Sequence, residues 1–170
     1  MTLYTFLALP ILFILHDFEE MIFMPLWKKS DKFQHLQDKE RYFGGVTDGS
    51  AFCIGVLEEF IILLIIALIV NITHITPIYL GFCIAYFIHF FLHFKLCITY
   101  KGYVPGVITV LCQIPIMILI IHHYFTWTLS SLIYIIIAII ITYINLYIMH
   151  KAMPVIQRIL HDLIKRQDAV

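Results

Sequence analysis

Residues Ala51 to Val70 read AFCIGVLEEFIILLIIALIV, and this stretch decides the fold. It supplies about 20 near-continuously apolar residues, the length a helix needs to cross the hydrocarbon core of a bilayer. Its isoleucines and leucines would favour a buried strand in water. In lipid the backbone must satisfy its own hydrogen bonds within the segment, so a helix is expected. The only charged residues in it are two adjacent acids, Glu58 and Glu59.

Outward from this segment the pattern repeats. Apolar runs occupy Leu3 to Met24, Ile78 to Ile98, Val104 to Ile121 and Leu129 to Met149. Asn71 to Pro77, Tyr100 to Pro105 and His122 to Thr128 separate them, with Gly102 and Pro105 as breakers. The expectation is an all-α, polytopic transmembrane bundle of about five helices in one domain, residues 1–150, followed by a cytoplasmic tail, residues 151–170. Composition agrees. Hydrophobic residues make up 62% of the 170, charged residues 13%, and the mean hydropathy is +0.95. Soluble domains run at about 45–50% apolar and about 25% charged. The N-terminal run lacks a basic leader and a small-residue cleavage pattern, and His16, Asp17, Glu19 and Glu20 interrupt it. It therefore reads as a retained helix.

The longest polar stretch, residues 27–50, follows the first helix. Ser30 is placed to cap a short helix running to Phe43 and ended by Gly44 and Gly45. With Phe33, Leu36, Tyr42 and Phe43 toward one side and Trp27 as an anchor, it reads as an interfacial helix.

The 11 basic residues orient the chain. Lys28, Lys29, Lys32, Lys39 and Arg41 follow the first helix. Lys95 and Lys101 flank the turn after the third, and Lys151, Arg158, Lys165 and Arg166 lie in the tail. Five spans put them all on one side, which the positive-inside rule makes cytoplasmic, with the N-terminus outside. The membrane expected is a cell membrane, and the small, isoleucine-rich chain reads as bacterial. Equal numbers of acids and bases argue against a nucleic-acid partner. Cys53, Cys83, Cys97 and Cys112 form no C-x-x-C pair and read as small packing residues.

Ionisable residues inside a membrane are costly and point to function. Helix one carries His16, Glu19 and Glu20; helix two carries Glu58 and Glu59; helix three carries His89 and His93. Counting the helical rise from the cytoplasmic ends puts His16 and Glu20 roughly 8–14 Å deep, Glu58 and Glu59 about 10–12 Å, and His89 and His93 about 4–10 Å. Helices of opposite direction thus bring their polar groups to the same half. Gly81, Ala85, His89 and His93 share one face, and Ala51 and Gly55 share the face of Glu58 and Glu59, so close helix packing would point these groups inward.

Carboxylates and imidazoles crowded at one depth must share protons or bind a cation. The donor types suit a divalent metal, zinc before iron or manganese. The expected ligands are His16, Glu19, Glu58, His89 and His93, with Glu20 or Glu59 as general base beside an activated water. Bundle di-metal sites use Glu-x-x-His, whereas the spacing here is His-x-x-Glu, so one ion with an open position is equally consistent. His35, His74, His122, His123, His150 and His161 fall in loops or at helix ends and read as interfacial.

His16-Asp17-Phe18-Glu19-Glu20 reads H-x-x-E-E, and Tyr103-Val104-Pro105-Gly106 reads Y-x-P-G, with the histidine-bearing helix between them. This order resembles the HXXEE-domain family of small multi-pass membrane proteins, from the first helix to the fourth at least. The resemblance implies an enzyme-like site in which His16, Glu19, Glu20, one histidine of the third helix, Tyr103, Pro105 and Gly106 take part; it implies no particular reaction. Intramembrane CAAX-type proteases carry E-E-x-x-x-R, but Leu63 stands where that arginine would be. The leading expectation is a metal-dependent intramembrane hydrolase acting on a lipid or membrane-embedded substrate from the cytoplasmic side, with diiron-type oxidation second. The alternatives are a proton- or ion-coupled carrier and a non-catalytic protein with a structural His/Glu network. Pro105 is expected near the first turn of the fourth helix, with Gly106 permitting close approach of a neighbour.

Overall fold

A computed structural model describes residues 4–39, 42–46 and 49–167; Leu3, Arg41 and residues 168–170 lie outside the described residues. The described chain is all-helical: α1 (Ala8–Trp27), α2 (Asp31–Gln34), a 3-10 turn (Phe43–Gly45), α3 (Gly49–Thr73), α4 (Thr76–Tyr100), α5 (Val107–Tyr124) and α6 (Leu129–Gln167). Four of these, α3 to α6, are long and apolar enough to cross a membrane. The fifth expected span is α1. It has 20 residues but carries Asp17, Glu19 and Glu20.

Those acids are buried along with His16, on the face that also buries Leu9, Leu12, Phe13 and Met24. The opposite face of α1 exposes Ile11, Leu15, Phe18, Ile22 and Leu26. The helix is therefore inverted relative to a helix of a water-soluble protein, with its polar groups inside and apolar ones outside. α1 packs on α3 and α5, α5 on α4, α4 on α6, and α6 on α3, so the five long helices close a ring. Isoleucines and leucines such as Ile65, Leu68, Ile136 and Ile140 cover its outside.

Small residues set the closest crossing, as the stripe on the third apolar segment suggests. A Cβ on Gly81 would lie 2.5 Å from the Cβ of Ala138 and 3.0 Å from the Cα of Ile135, so α4 and α6 touch almost backbone to backbone. α6 runs on through Pro154 without a break at residue 150. Its 39 residues span about 58 Å at the helical rise, nearly twice the bilayer core.

The polar stretch after α1 differs from expectation. Ser30 does cap a helix, accepting from the Phe33 N–H at 3.4 Å, but the helix ends at Gln34. Phe33, Tyr42 and Phe43 are buried, with their rings packed on Trp27, and Trp27 packs at a tilt on Tyr100. A helix continuing to Phe43 would leave part of this aromatic surface unburied. Lys28 ties the segment down: its buried Nζ donates to the carbonyls of Tyr42 and Val46. That burial pushes its amine down to about 8.

Candidate metal centre

The site starts from two i, i+4 pairs. His16 and Glu20 stand one turn apart on α1, and His89 and His93 one turn apart on α4. Together they place one ligand atom each within 4.8 Å of one another. Glu20 Oε1 lies 3.1 Å from His93 Nε2 and 3.6 Å from His16 Nε2, and the Nε2 atoms of His89 and His93 are 3.0 Å apart. Zinc–ligand bonds of about 2.0–2.2 Å set donors around one ion about 3–4 Å apart, so these separations fit a shared ion. His16, Glu20 and His93 are buried and His89 is half-buried.

A further set of residues aims His16. The Thr109 hydroxyl donates to Glu19 Oε2 at 2.7 Å and lies 2.9 Å from His16 Nδ1. Its single proton goes to the carboxylate, the strongest acceptor in reach, so the oxygen accepts from His16 Nδ1–H. That tautomer leaves the Nε2 lone pair facing Glu20 and His93, and Nε2 has no hydrogen-bond partner among the described residues. A carboxylate acting through a second group on a histidine is the usual way a metal ligand is oriented.

Glu19 is expected among the ligands but sits one step back. Its oxygens accept from the Ile108 N–H (3.3 Å), the Thr109 N–H (2.7 Å), the Thr109 hydroxyl and the Tyr103 hydroxyl (2.9 Å). It clamps the N-terminus of α5, where a negative charge meets free amides and the positive end of the helix dipole. Burial and the neighbouring Glu19 carboxylate push the Tyr103 hydroxyl upward, keeping it a donor.

The Y-x-P-G turn acquires its reason here. Gly106 is the N-cap of α5, with φ +94°, so Pro105 lies ahead of the helix rather than in its first turn. A Cβ on Gly106 would meet Glu20 Oε1 at 2.6 Å, His93 Cε1 at 2.6 Å and His16 Cε1 at 2.9 Å. The neighbour whose approach it permits is the His/Glu group itself. The Tyr103 carbonyl accepts from the Trp27 indole at 2.9 Å, anchoring the turn to the end of α1.

The group opens on a cavity of about 590 Å³ bounded by α1, α3, α4, α6 and the 42–43 segment. Phe13, Phe52, Val56, Ile62, Phe82 and Leu146 make most of its wall apolar. Glu59 faces it from α3. Glu58 instead accepts from the Asn145 amide at 3.2 Å, tying α3 to α6. So the structure brings together His16, Glu20, His89 and His93 and sets Glu59 beside them. Glu20, expected as a base, stands among the ligand atoms, while Glu19 and Glu58, expected as ligands, stand outside that group.

Two cavity residues lie outside the site expected from sequence. Asp17 lines the cavity and is buried, and its position three residues before Glu20 was the available signal. His150, read as interfacial, also lines the cavity from α6. No local signal marks it, because only the uninterrupted helix carries it there.

The family described as protein of unknown function with HXXEE motif matches residues 7–120, more than half of the chain. The chain belongs to the HXXEE family. Neither a curated protein nor a solved structure matches it. In this HXXEE protein the motif divides its labour: His16 and Glu20 enter the candidate metal centre, while Glu19 fastens the α5 turn that carries Gly106. The match ends before α6, so the cavity wall contributed by Asn145, His150 and Met153 lies outside it.

Proposed function

We propose that this HXXEE protein is a metal-dependent membrane enzyme, a hydrolase that acts on a lipid or another membrane-embedded substrate from the cytoplasmic side. The observation that carries the reading is the convergence of three imidazoles and one carboxylate on the wall of a largely apolar cavity. Three imidazoles with one carboxylate suit zinc ahead of iron or manganese. The cell-membrane placement rests on the four apolar spans and on the exposed apolar face of α1. The orientation, N-terminus outside and C-terminus cytoplasmic, rests on the one-sided distribution of the basic residues.

A divalent ion bound here supplies Lewis-acid activation of water and of the substrate oxygen. The protein's own groups do the rest. The cavity seats the apolar part of the substrate and excludes bulk water. Glu59 takes a proton from the attacking water as its oxygen adds to the acyl carbon. The bond from that carbon to the leaving oxygen or nitrogen breaks, and Glu59 returns the proton to the leaving atom. Such acid–base assistance is worth about 10²- to 10⁴-fold in rate.

Elemental analysis of the detergent-purified protein tests the reading. One tightly held transition metal per chain is expected, absent from His16→Ala and His93→Ala, together with chelator-sensitive hydrolysis of membrane lipid extracts. Protein that is metal-free, fully stable and indifferent to chelators would overturn it.

A further inference from the structure

We infer that the cavity wall beside the histidine group carries a second cation position, formed by Asp17 and Glu59 with Glu20 shared between the two positions. This rests on the metal reading of the histidine group and extends it to a two-ion centre.

The starting observation is Asp17. It is 6% exposed, lines the cavity, and its Oδ2 has no hydrogen-bond partner among the described residues. Buried charged groups are ordinarily paired or bound to a metal. Glu20 and, from α3, Glu59 line the same cavity as Asp17. Three acids from two helices thus turn toward one space; Glu20 also meets His16 and His93, and Lys95 lines the same cavity. Asp17 and Glu20 stand at i, i+3 on the same face of α1, and Glu59 comes from α3, which packs on α1.

The donor sets of the two positions differ. The histidine group is nitrogen-rich and suits zinc, whereas an all-carboxylate position suits a harder ion of the manganese or magnesium kind. Glu20 already offers Oε1 to the histidine group, and a carboxylate has a second oxygen with which to bridge. Ions in two-metal hydrolytic sites lie about 3.5–4 Å apart, a spacing one bridging carboxylate spans. Glu59, bound through one oxygen, keeps the other for the proton it carries during hydrolysis. Glu58 does not line the cavity, and its Oε2 accepts from the Asn145 amide instead.

The test uses full-length protein in detergent, stripped of metal, loaded with one equivalent of zinc and titrated with manganese(II) followed by its paramagnetic resonance signal. One manganese ion is expected to bind per chain with the zinc retained. Asp17→Asn and Glu59→Gln should each lose the manganese and keep the zinc, while Glu58→Gln keeps both. The two substitutions sit on different helices, so the second decides the matter should the first fail to fold. Manganese that binds only by displacing zinc, or that binds equally well to both variants, overturns the second position and leaves the histidine site standing. A wild-type protein that retains no zinc overturns both.

Discussion

Gly106→Ala is the sharpest single perturbation of this site. Two costs combine at that position. The backbone sits at φ +94°, where a residue with a Cβ pays about 1–3 kcal/mol. The added methyl would also stand 2.6 Å from Glu20 Oε1 and from His93 Cε1, and 2.9 Å from His16 Cε1. Comfortable carbon contacts begin at about 3.5 Å, so each of these groups must retreat by about 0.6–0.9 Å. Ligand geometry tolerates errors of about 0.5 Å, so three of the four donors would move beyond it together. A loss of metal affinity larger than the about 10- to 100-fold typical of outer-shell changes follows. Gly45→Ala separates strain from collision. Gly45 has φ +77° but nothing within 4 Å of its notional Cβ, so that variant pays the backbone cost and keeps the metal. Competition of each purified variant against a zinc-chelating dye, beside a thermal unfolding curve, gives both quantities. Gly106→Ala protein that binds zinc as tightly as wild type would refute the reasoning.

Other substitutions probe the supports. Thr109→Val removes the acceptor that sets the His16 tautomer and should weaken zinc binding about 10- to 100-fold in a folded protein, measured by the same competition. Gly81→Val forces a branched side chain against Ala138 and the Ile135 backbone; a loss of about 1–3 kcal/mol or more is expected in denaturant unfolding in detergent. Lys28 gives a pH signature. Its folded value is lowered from 10.5 to about 8, so between those values the unfolded chain binds the extra proton and folding stability rises with pH. Hydrogen-exchange protection of residues 42–46 should therefore increase across that window and flatten in Lys28→Met.

Much of this was legible in the sequence for a physical reason. Lipid removes the ambiguity between strand and helix, so the five long apolar runs, including α1 with its acids, are legible to within a few residues at their ends, except that α6 runs on past Met149 to Gln167. The i, i+4 spacings of His16 with Glu20 and of His89 with His93 are local, and one helical turn is enough to align them. What escaped depends on distant partners. Glu19 looks like a ligand until the free amides of Ile108 and Thr109, about ninety positions away, claim its oxygens. The start of α2 was readable from the Ser30 cap, but its end was not, because burial of Phe33 and Tyr42 against Trp27 and Tyr100 outweighs local helix preference. In the sequence Asp17 is one more polar interruption of the first span, since the cavity it faces is built from four helices.

On the proposed reading, three imidazoles and Glu20 share one ion. X-ray absorption at the zinc edge of the purified, zinc-loaded protein tests it most directly. A shell of nitrogen and oxygen at about 2.0–2.1 Å is expected, with the outer-shell scattering of several imidazole rings, and neither signal in His16→Ala or His93→Ala, which hold no zinc. A sulfur shell at about 2.3 Å, or a spectrum without imidazole scattering, would contradict it.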